Sequence, residues 1–211
     1  MPTKEKERRT TTPKPVAGRR AVLRRKTRET DVQLFLDLDG HGVAEISTGV
    51  GFLDHMLTAL ATHARFDLKI ACKGDLQIDP HHSVEDVAIV LGDAFNQALG
   101  EKRGITRFGH AYVPLDEALV RCVVDLSGRP YLSYEVALPV AQIGALPSEL
   151  IEDFLRAFAD HGRLNLHADL IRGRNGHHIA EALFKALARA LGIAVALDPR
   201  SNGVPSTKGV L

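Results

Sequence analysis

The residues best equipped for chemistry fall into two matching groups. His81-His82-Ser83-Val84-Glu85 and His177-His178-Ile179-Ala180-Glu181 both read His-His-x-x-Glu, and each opens an apolar-periodic run. On a helix, positions i and i+4 share a face, while i+1 points roughly a quarter-turn away. His81 and Glu85 are therefore placed to reach one metal ion, as are His177 and Glu181, whereas His82 and His178 reach elsewhere, toward a second ion. A lone histidine pair is more often a surface or core feature. Two copies at the same point of two repeated halves point to a metal centre.

His55 adds to this set. It follows Asp54 at the opening of a helix, just after the loop Thr48-Gly49-Val50-Gly51, and its repeat position holds Asp153. The ligand inventory is then His55, His81, His82, Glu85, Asp153, His177, His178 and Glu181, enough for two ions with open positions. Cys72 and Cys122 are isolated, so neither a thiolate zinc site nor a disulfide framework is expected. Mixed imidazole–carboxylate ligation suits Mn, Fe, Co, Ni or Zn. Open positions imply Lewis-acid work on a substrate. Of the other histidines, His41 and His110 read as surface residues, His63 and His161 as helix-end residues, and His167 as a satisfied core residue on a strand.

Arg107, Arg129, Lys185 and Lys208 are candidate anion-binding groups. Taken singly, each is more often a solvated surface charge. Lys185 stands i+4 from Glu181 on the metal-bearing side of its helix, where the plain reading is a Glu–Lys helix pair.

These groups need elements to hold them. Val32, Leu34, Leu36 and Leu38 alternate with polar or outward positions from Asp31 onward, a strand ending at the turn Asp39-Gly40. A second strand is expected from Val43 to Ser47, a helix from Phe52 to His63, a strand from Phe66 to Cys72 and a short strand at Leu76 to Ile78. The first His-His-x-x-Glu helix follows, and Gly100 stops it. The second half repeats the order: a shift of 88 lays Glu29 on Glu117 and Gly40 on Gly128, a shift of 98 lays His55 on Asp153, and a shift of 96 superposes the two histidine motifs. The expectation is an α+β protein made of duplicated β-β-α-β-β-α halves, with antiparallel sheets carrying helices on one face and the halves meeting helix to helix. The first half spans 19–104 and the second 105–211. The Gly/Pro-rich stretch from Asp198 to Gly209 reads as a frayed end or a binding loop.

The chain has 211 residues, 45% of them apolar and 25% charged, enough for a sizeable core. Its net charge of +1 hides an asymmetry. Residues 1–28 hold eleven Lys/Arg against Glu5 and Glu7, leaving 16 basic and 24 acidic residues for the remainder. Residues 1–18 read as a basic disordered tail. Lacking aromatic residues between its charges, the tail is a poor nucleic-acid platform. An apolar signal core and a membrane-length apolar run are both absent, so the expected compartment is the cytoplasm and no membrane partner is expected.

Five stretches carry a family resemblance: Gly51-Phe52-Leu53-Asp54-His55-Met56-Leu57, Asp79 to Asp86, Asp125-Leu126-Ser127-Gly128-Arg129-Pro130, Gly173 to Glu181, and Pro205-Ser206-Thr207-Lys208-Gly209. In order and spacing they resemble imidazoleglycerol-phosphate dehydratase, and the likeness runs from about Arg19 to Leu211. The resemblance implies dehydration of imidazole glycerol phosphate to imidazole acetol phosphate in histidine biosynthesis. It implies two manganese ions (Mn2+) per active site and a homo-oligomeric shell of twenty-four subunits with sites between subunits. Metal ligands by likeness are His55, His81, His82, Glu85, His177, His178 and Glu181. Asp153 departs from the histidine common at its position. Substrate and phosphate contacts carry over to Arg107, Arg129, Lys185, Ser206 and Lys208. Glu29 matches a glutamate near the substrate diol, and with Glu85 and Glu181 it is a candidate for proton transfer. Without the resemblance, the same ligands leave open a different dinuclear hydrolase or a non-enzymatic metal-binding assembly protein.

Overall fold

A computed structural model describes residues 18–201 and 203–211. Nearly all of the basic tail expected at 1–18 therefore lies outside the described residues. The first half contains strands β1 (Arg20–Lys26), β2 (Thr30–Asp37) and β3 (Ala44–Ser47), helix α1 (Gly51–Ala64), strand β4 (Asp67–Gly74) and helix α2 (His81–Leu99). The second contains β5 (Phe108–Leu115), β6 (Ala118–Asp125) and β7 (Tyr131–Glu135), then a small hairpin of β8 (Gln142–Ile143) and β9 (Leu146–Pro147). Helix α3 (Glu149–Gly162), strand β10 (Asn165–Arg172) and helix α4 (Gly176–Val195) complete it.

The two main sheets share one topology. Their strand orders are β1-β2-β4-β3 and β5-β6-β10-β7. Within each, the first three strands are antiparallel and the fourth runs parallel to its neighbour, β3 along β4 and β7 along β10. The fold is the expected duplicated α+β arrangement, but each half runs β-β-β-α-β-α rather than β-β-α-β-β-α. Two local readings account for the difference. Strand β1 is dominated by Arg20, Arg24, Arg25 and Lys26, with only Ala21 fully buried, so charge masks its alternation. Its register against β2, Ala21 opposite Leu36, is set by that partner. Leu76 to Ile78 is a turn closed by the Ile78 N–H to the Asp75 carbonyl at 2.8 Å, and Ile78 is 66% exposed. Three alternating residues are too few to separate a strand from a turn.

Alternation in β2 turns Val32, Leu34 and Leu36 toward the helices. Helix α2 lies across β1 and β2, and α4 lies across β5 and β6. The halves meet through two helix pairs, α2 against α3 and α1 against α4. Phe95 and Phe158 pack edge to face at 5.7 Å across the first pair. Burying each such side chain contributes about 1.5–3 kcal/mol. Gly92 lets α2 and α3 approach closely: a Cβ there would stand 2.7 Å from the His161 Cβ and 2.9 Å from the Phe158 carbonyl oxygen. Each helix pair thus joins the first helix of one half to the second helix of the other. Consequently His55 shares a seam with His177 and Glu181, and Asp153 shares the other with His81 and Glu85.

Candidate metal and substrate site

The sharper of the two seams is α1/α4. Asn175 caps α4, its side-chain oxygen accepting the N–H groups of His177 at 2.9 Å and His178 at 3.3 Å. One turn on, Glu181 Oε2 stands 3.1 Å from His177 Nε2, and from α1 the His55 Nε2 comes within 3.3 Å of the same oxygen. Ligand atoms of all three residues lie within 4.8 Å of one another. Two ligands at right angles on a first-row ion with bonds of about 2.1 Å stand about 3 Å apart, so this triad fits a divalent cation. Phe52 braces it, its ring 5.1 Å from that of His177. Lys185 Nζ holds the other carboxylate oxygen, Glu181 Oε1, at 2.7 Å. Burial alone would raise the Glu181 pKa, but the hydrogen bonds from Lys185, His55 and His177 outweigh it and bring the value down to about 2.

The α2/α3 seam is looser. Asp79 plays the part of Asn175, accepting the His81 N–H at 2.8 Å. His81 Nδ1 lies 4.0 Å from Asp153 Oδ2, so the repeat mate of His55 does meet the expected helix. Glu85, one turn past His81, is exposed and makes no hydrogen bond or ion pair among the described residues. A shorter carboxylate in place of an imidazole leaves this seam a pair rather than a triad.

His82 and His178 turn away from both seams, their rings at 86° and 84° to those of His81 and His177. Each is oriented by a carboxylate at Nδ1: Asp75 at 3.1 Å for His82 and Glu117 at 2.7 Å for His178. Those bonds leave Nε2 as the ring atom that could ligate a metal. They also raise both imidazole pKa values, through the hydrogen bonds to Asp75 and to Glu117 respectively. Glu117 further accepts the N–H groups of Asn175 at 2.8 Å and Arg174 at 3.2 Å, and chiefly its bond to His178 brings its own pKa down to about 2. Sequence reasoning did not nominate Glu117 or Asp75. For Glu117 a signal existed, since the shift of 88 lays it on Glu29; Asp75 has no counterpart in the repeat.

Glu29 does approach the histidine motif, its Oε1 lying 3.9 Å from His82 Nε2. Its turn is held by Thr27 Oγ1, which accepts the Glu29 N–H at 3.1 Å, and by the hydrogen bond from Thr30 Oγ1 to buried Asp86 on α2. Asp86 also meets Arg25 at 3.4 Å. This network fixes the Glu29 turn to the helix that carries His81 and His82.

The cations divide into two groups. Lys185 belongs to the His55 cluster. Arg107 makes a two-pronged pair with Asp125 at 2.7 and 3.1 Å and donates to the Pro205 carbonyl at 2.9 Å. It thereby docks the C-terminal loop, which is turned and held rather than frayed: the Lys208 N–H donates to Ser206 Oγ at 3.2 Å and the Gly209 N–H to the Ser206 carbonyl at 3.0 Å. Arg129 follows on the neighbouring loop, whose Leu126 N–H donates to the Arg107 carbonyl at 3.2 Å. Arg129 and Lys208 are exposed and form no ion pair among the described residues. Among those residues no hydrogen bond or ion pair ties this second group to the His55 cluster. His167 is exposed on β10 beside Tyr131, not in the core.

Comparison with known proteins is consistent across sequence and structure. The family model for imidazoleglycerol-phosphate dehydratase matches residues 48–191. The chain is 60% identical to the imidazoleglycerol-phosphate dehydratase of Gluconobacter oxydans over 195 residues, covering 92% of this chain and 98% of that one. It is 57% identical to that of Heliobacterium modesticaldum, covering 89% and 96%. Among solved structures, the imidazoleglycerol-phosphate dehydratase of Staphylococcus aureus superposes with a TM-score of 0.78 at 41% identity, covering 85% of this chain and 99% of that one. IGPD from Pyrococcus furiosus gives 0.77 at 39% identity, covering 90% and 100%.

Proposed function

The chain belongs to the imidazoleglycerol-phosphate dehydratase family, and we propose that it acts as that hydro-lyase, removing water from imidazole glycerol phosphate to give imidazole acetol phosphate in histidine biosynthesis. The observation that carries this reading is the triad of His55, His177 and Glu181 assembled from both halves, with Lys185 bonded to its carboxylate.

The proposal extends to two manganese ions per active site. His55, His177 and Glu181 would hold one, and His81, Glu85 and Asp153 the other. Bound there, a divalent ion supplies Lewis acidity and a fixed template for the substrate's imidazole ring. Those residues alone would leave each ion open to further ligands. His82 and His178 offer their Nε2 atoms away from their own seams, which suits completion of each shell by another copy of the chain. This supports assembly into a large homo-oligomer, twenty-four subunits by family likeness, with sites between subunits. No helix among the described residues is long and apolar enough to cross a membrane. The compartment we propose is the cytoplasm.

Substrate handling falls to the remaining groups. Arg107, Arg129, Lys185, Ser206 and Lys208 bind the phosphate, so binding energy far from the reacting carbons orients them. Glu29, on its pinned turn beside His82, exchanges the proton or assists departure of the hydroxyl. Glu85 and Glu181 are the other carboxylates positioned to share that duty.

Proton and phosphorus NMR of a reaction with imidazole glycerol phosphate tests the reading. Imidazole acetol phosphate should accumulate with its phosphate ester intact. Release of inorganic phosphate instead would mark a hydrolase built on the same ligands.

A further inference from the structure

Among the described residues, one element of the second half has no counterpart in the first. Only residues 48–50 connect β3 to α1, whereas residues 136–148 connect β7 to α3 and hold the β8–β9 hairpin. The difference, thirteen residues against three, is the ten by which the repeat offset rises from 88 to 98. Ile143 and Leu146, paired across the hairpin, are buried. The Ser148 N–H donates to the Ala141 carbonyl at 2.9 Å, and its hydroxyl donates to the Val140 carbonyl at 2.6 Å. Gly144 makes the turn at φ 58°, in the left-handed region that favours glycine. Gln142 Nε2 donates to the Gly144 carbonyl at 2.6 Å.

This hairpin bridges the first turns of α1 and α4, which carry His55 and His177. Val140 occupies the space left by Gly176, the first residue of α4: a Cβ there would stand 2.5 Å from Val140 Cγ2. At its turn the hairpin lies beside Phe52, a Cβ on Gly144 falling 3.8 Å from the Phe52 Cβ, and β9 lies against α1. Phe52 in turn meets both imidazoles of the triad edge to face, its ring 5.1 Å from that of His177 and 6.3 Å from that of His55. The matching places of the other seam are filled differently. A shift of 98 lays Phe52 on Leu150, and a shift of 96 lays Gly176 on Pro80. Leu150 offers no aromatic ring, and Pro80 offers no notch for a hairpin.

We propose that the β8–β9 hairpin and Phe52 form a brace that presets the His55–His177–Glu181 triad for a divalent cation, with Phe52 and Val140 as its positioning residues. The inference rests on the metal reading above and deepens it. An imidazole free to turn loses that freedom when it ligates, so a ring held in place beforehand binds more tightly. The side chains of His55 and His177 are 50% and 47% exposed. Their contacts with Glu181 are the ones a metal would replace, which leaves Phe52 to hold the rings. His81 and Asp153 have Leu150 and Pro80 in place of that support. The brace therefore makes the α1/α4 seam the tighter of the two sites.

Stepwise Mn2+ titration of the metal-stripped full chain, with a chelator as competitor, tests this. Wild type should load one ion more tightly than the other. Phe52→Leu, which installs the residue found at the matching place of the other half, should weaken the tighter ion about tenfold and leave the second unchanged. Val140→Ala should act in the same direction, and Phe52→Tyr and Val140→Ile should keep wild-type affinity. Thermal melting separates positioning from folding: Phe52→Leu should melt close to wild type without metal and below it with Mn2+ present. If wild type loads two ions and both Phe52→Leu and Val140→Ala hold them as tightly, the hairpin is not a brace. The same conclusion follows if both ions weaken together with the metal-free melting temperature. A wild type that binds no metal ion would instead refute the metal reading, and the brace with it.

Discussion

His55 on α1 and Glu181 on α4 stand 3.3 Å apart although 126 residues separate them in sequence. Only the helix-to-helix packing of the two halves makes that contact, so ligand geometry and the core are one problem. Glu181→Gln keeps the shape of the side chain and removes its charge. We expect turnover to fall by two orders of magnitude or more, about 2.7 kcal/mol or above in the barrier. Steady-state kinetics with metal analysis checks this. Near-normal turnover with full metal content would remove Glu181 from both metal binding and proton transfer.

Asp153 and His81, 4.0 Å apart, make the weaker seam. Asp153→Ala should lower bound manganese from two ions per chain to one, with the remaining ion on the His55 side. Asp153→His restores a ligand at that position and should keep two. Elemental analysis after gel filtration reads the stoichiometry. An unchanged two ions in the alanine variant would show that Asp153 is not a ligand.

Glu117, bonded to His178 Nδ1, would act on a bound metal through that imidazole rather than directly. A carboxylate that holds a ligand imidazole in this way is worth about 10–100-fold in metal affinity. Glu117→Ala should lose affinity in that range, and Glu117→Gln, which still offers an oxygen to Nδ1, should lose less. Competition against a chelator measures both. Equal affinity in the alanine variant would mean that the 2.7 Å bond merely tethers the loop before α4.

Much of this was legible in the residues, because duplication doubles every signal. The two His-His-x-x-Glu motifs mark α2 and α4, and the offset of 98 matches His55 with Asp153. The sequence did not reveal that the pairs form across the halves, since i, i+4 logic is blind to which helix packs against which. Strand β1 escaped for a related reason: its arginines describe the solvent face, and only the register against β2 shows it to be a strand. Arg107 reads in sequence as a free cation, yet it is already paired with Asp125 and anchors the C-terminal loop at Pro205.

Asp67 supplies a prediction about stability. Its carboxylate accepts the N–H groups of Val43 at 3.0 Å and His41 at 2.8 Å, and these bonds, Val43's foremost, hold its pKa below the ordinary value. A carboxylate with a depressed pKa stabilises the fold above its unfolded pKa, and the contribution fades as pH falls through the folded value. Asp67→Asn should therefore cost about 1–2 kcal/mol at pH 7. The gap to wild type should begin to close below about pH 4. Urea denaturation at both pH values measures it. A gap that does not change with pH would assign the effect to packing.

The most direct test of the central claim is turnover of imidazole glycerol phosphate by chelator-stripped protein as Mn2+ is added back. Activity should be absent without metal and rise to a plateau at two ions per chain, with imidazole acetol phosphate as product. Full turnover by protein shown to be metal-free would contradict the account.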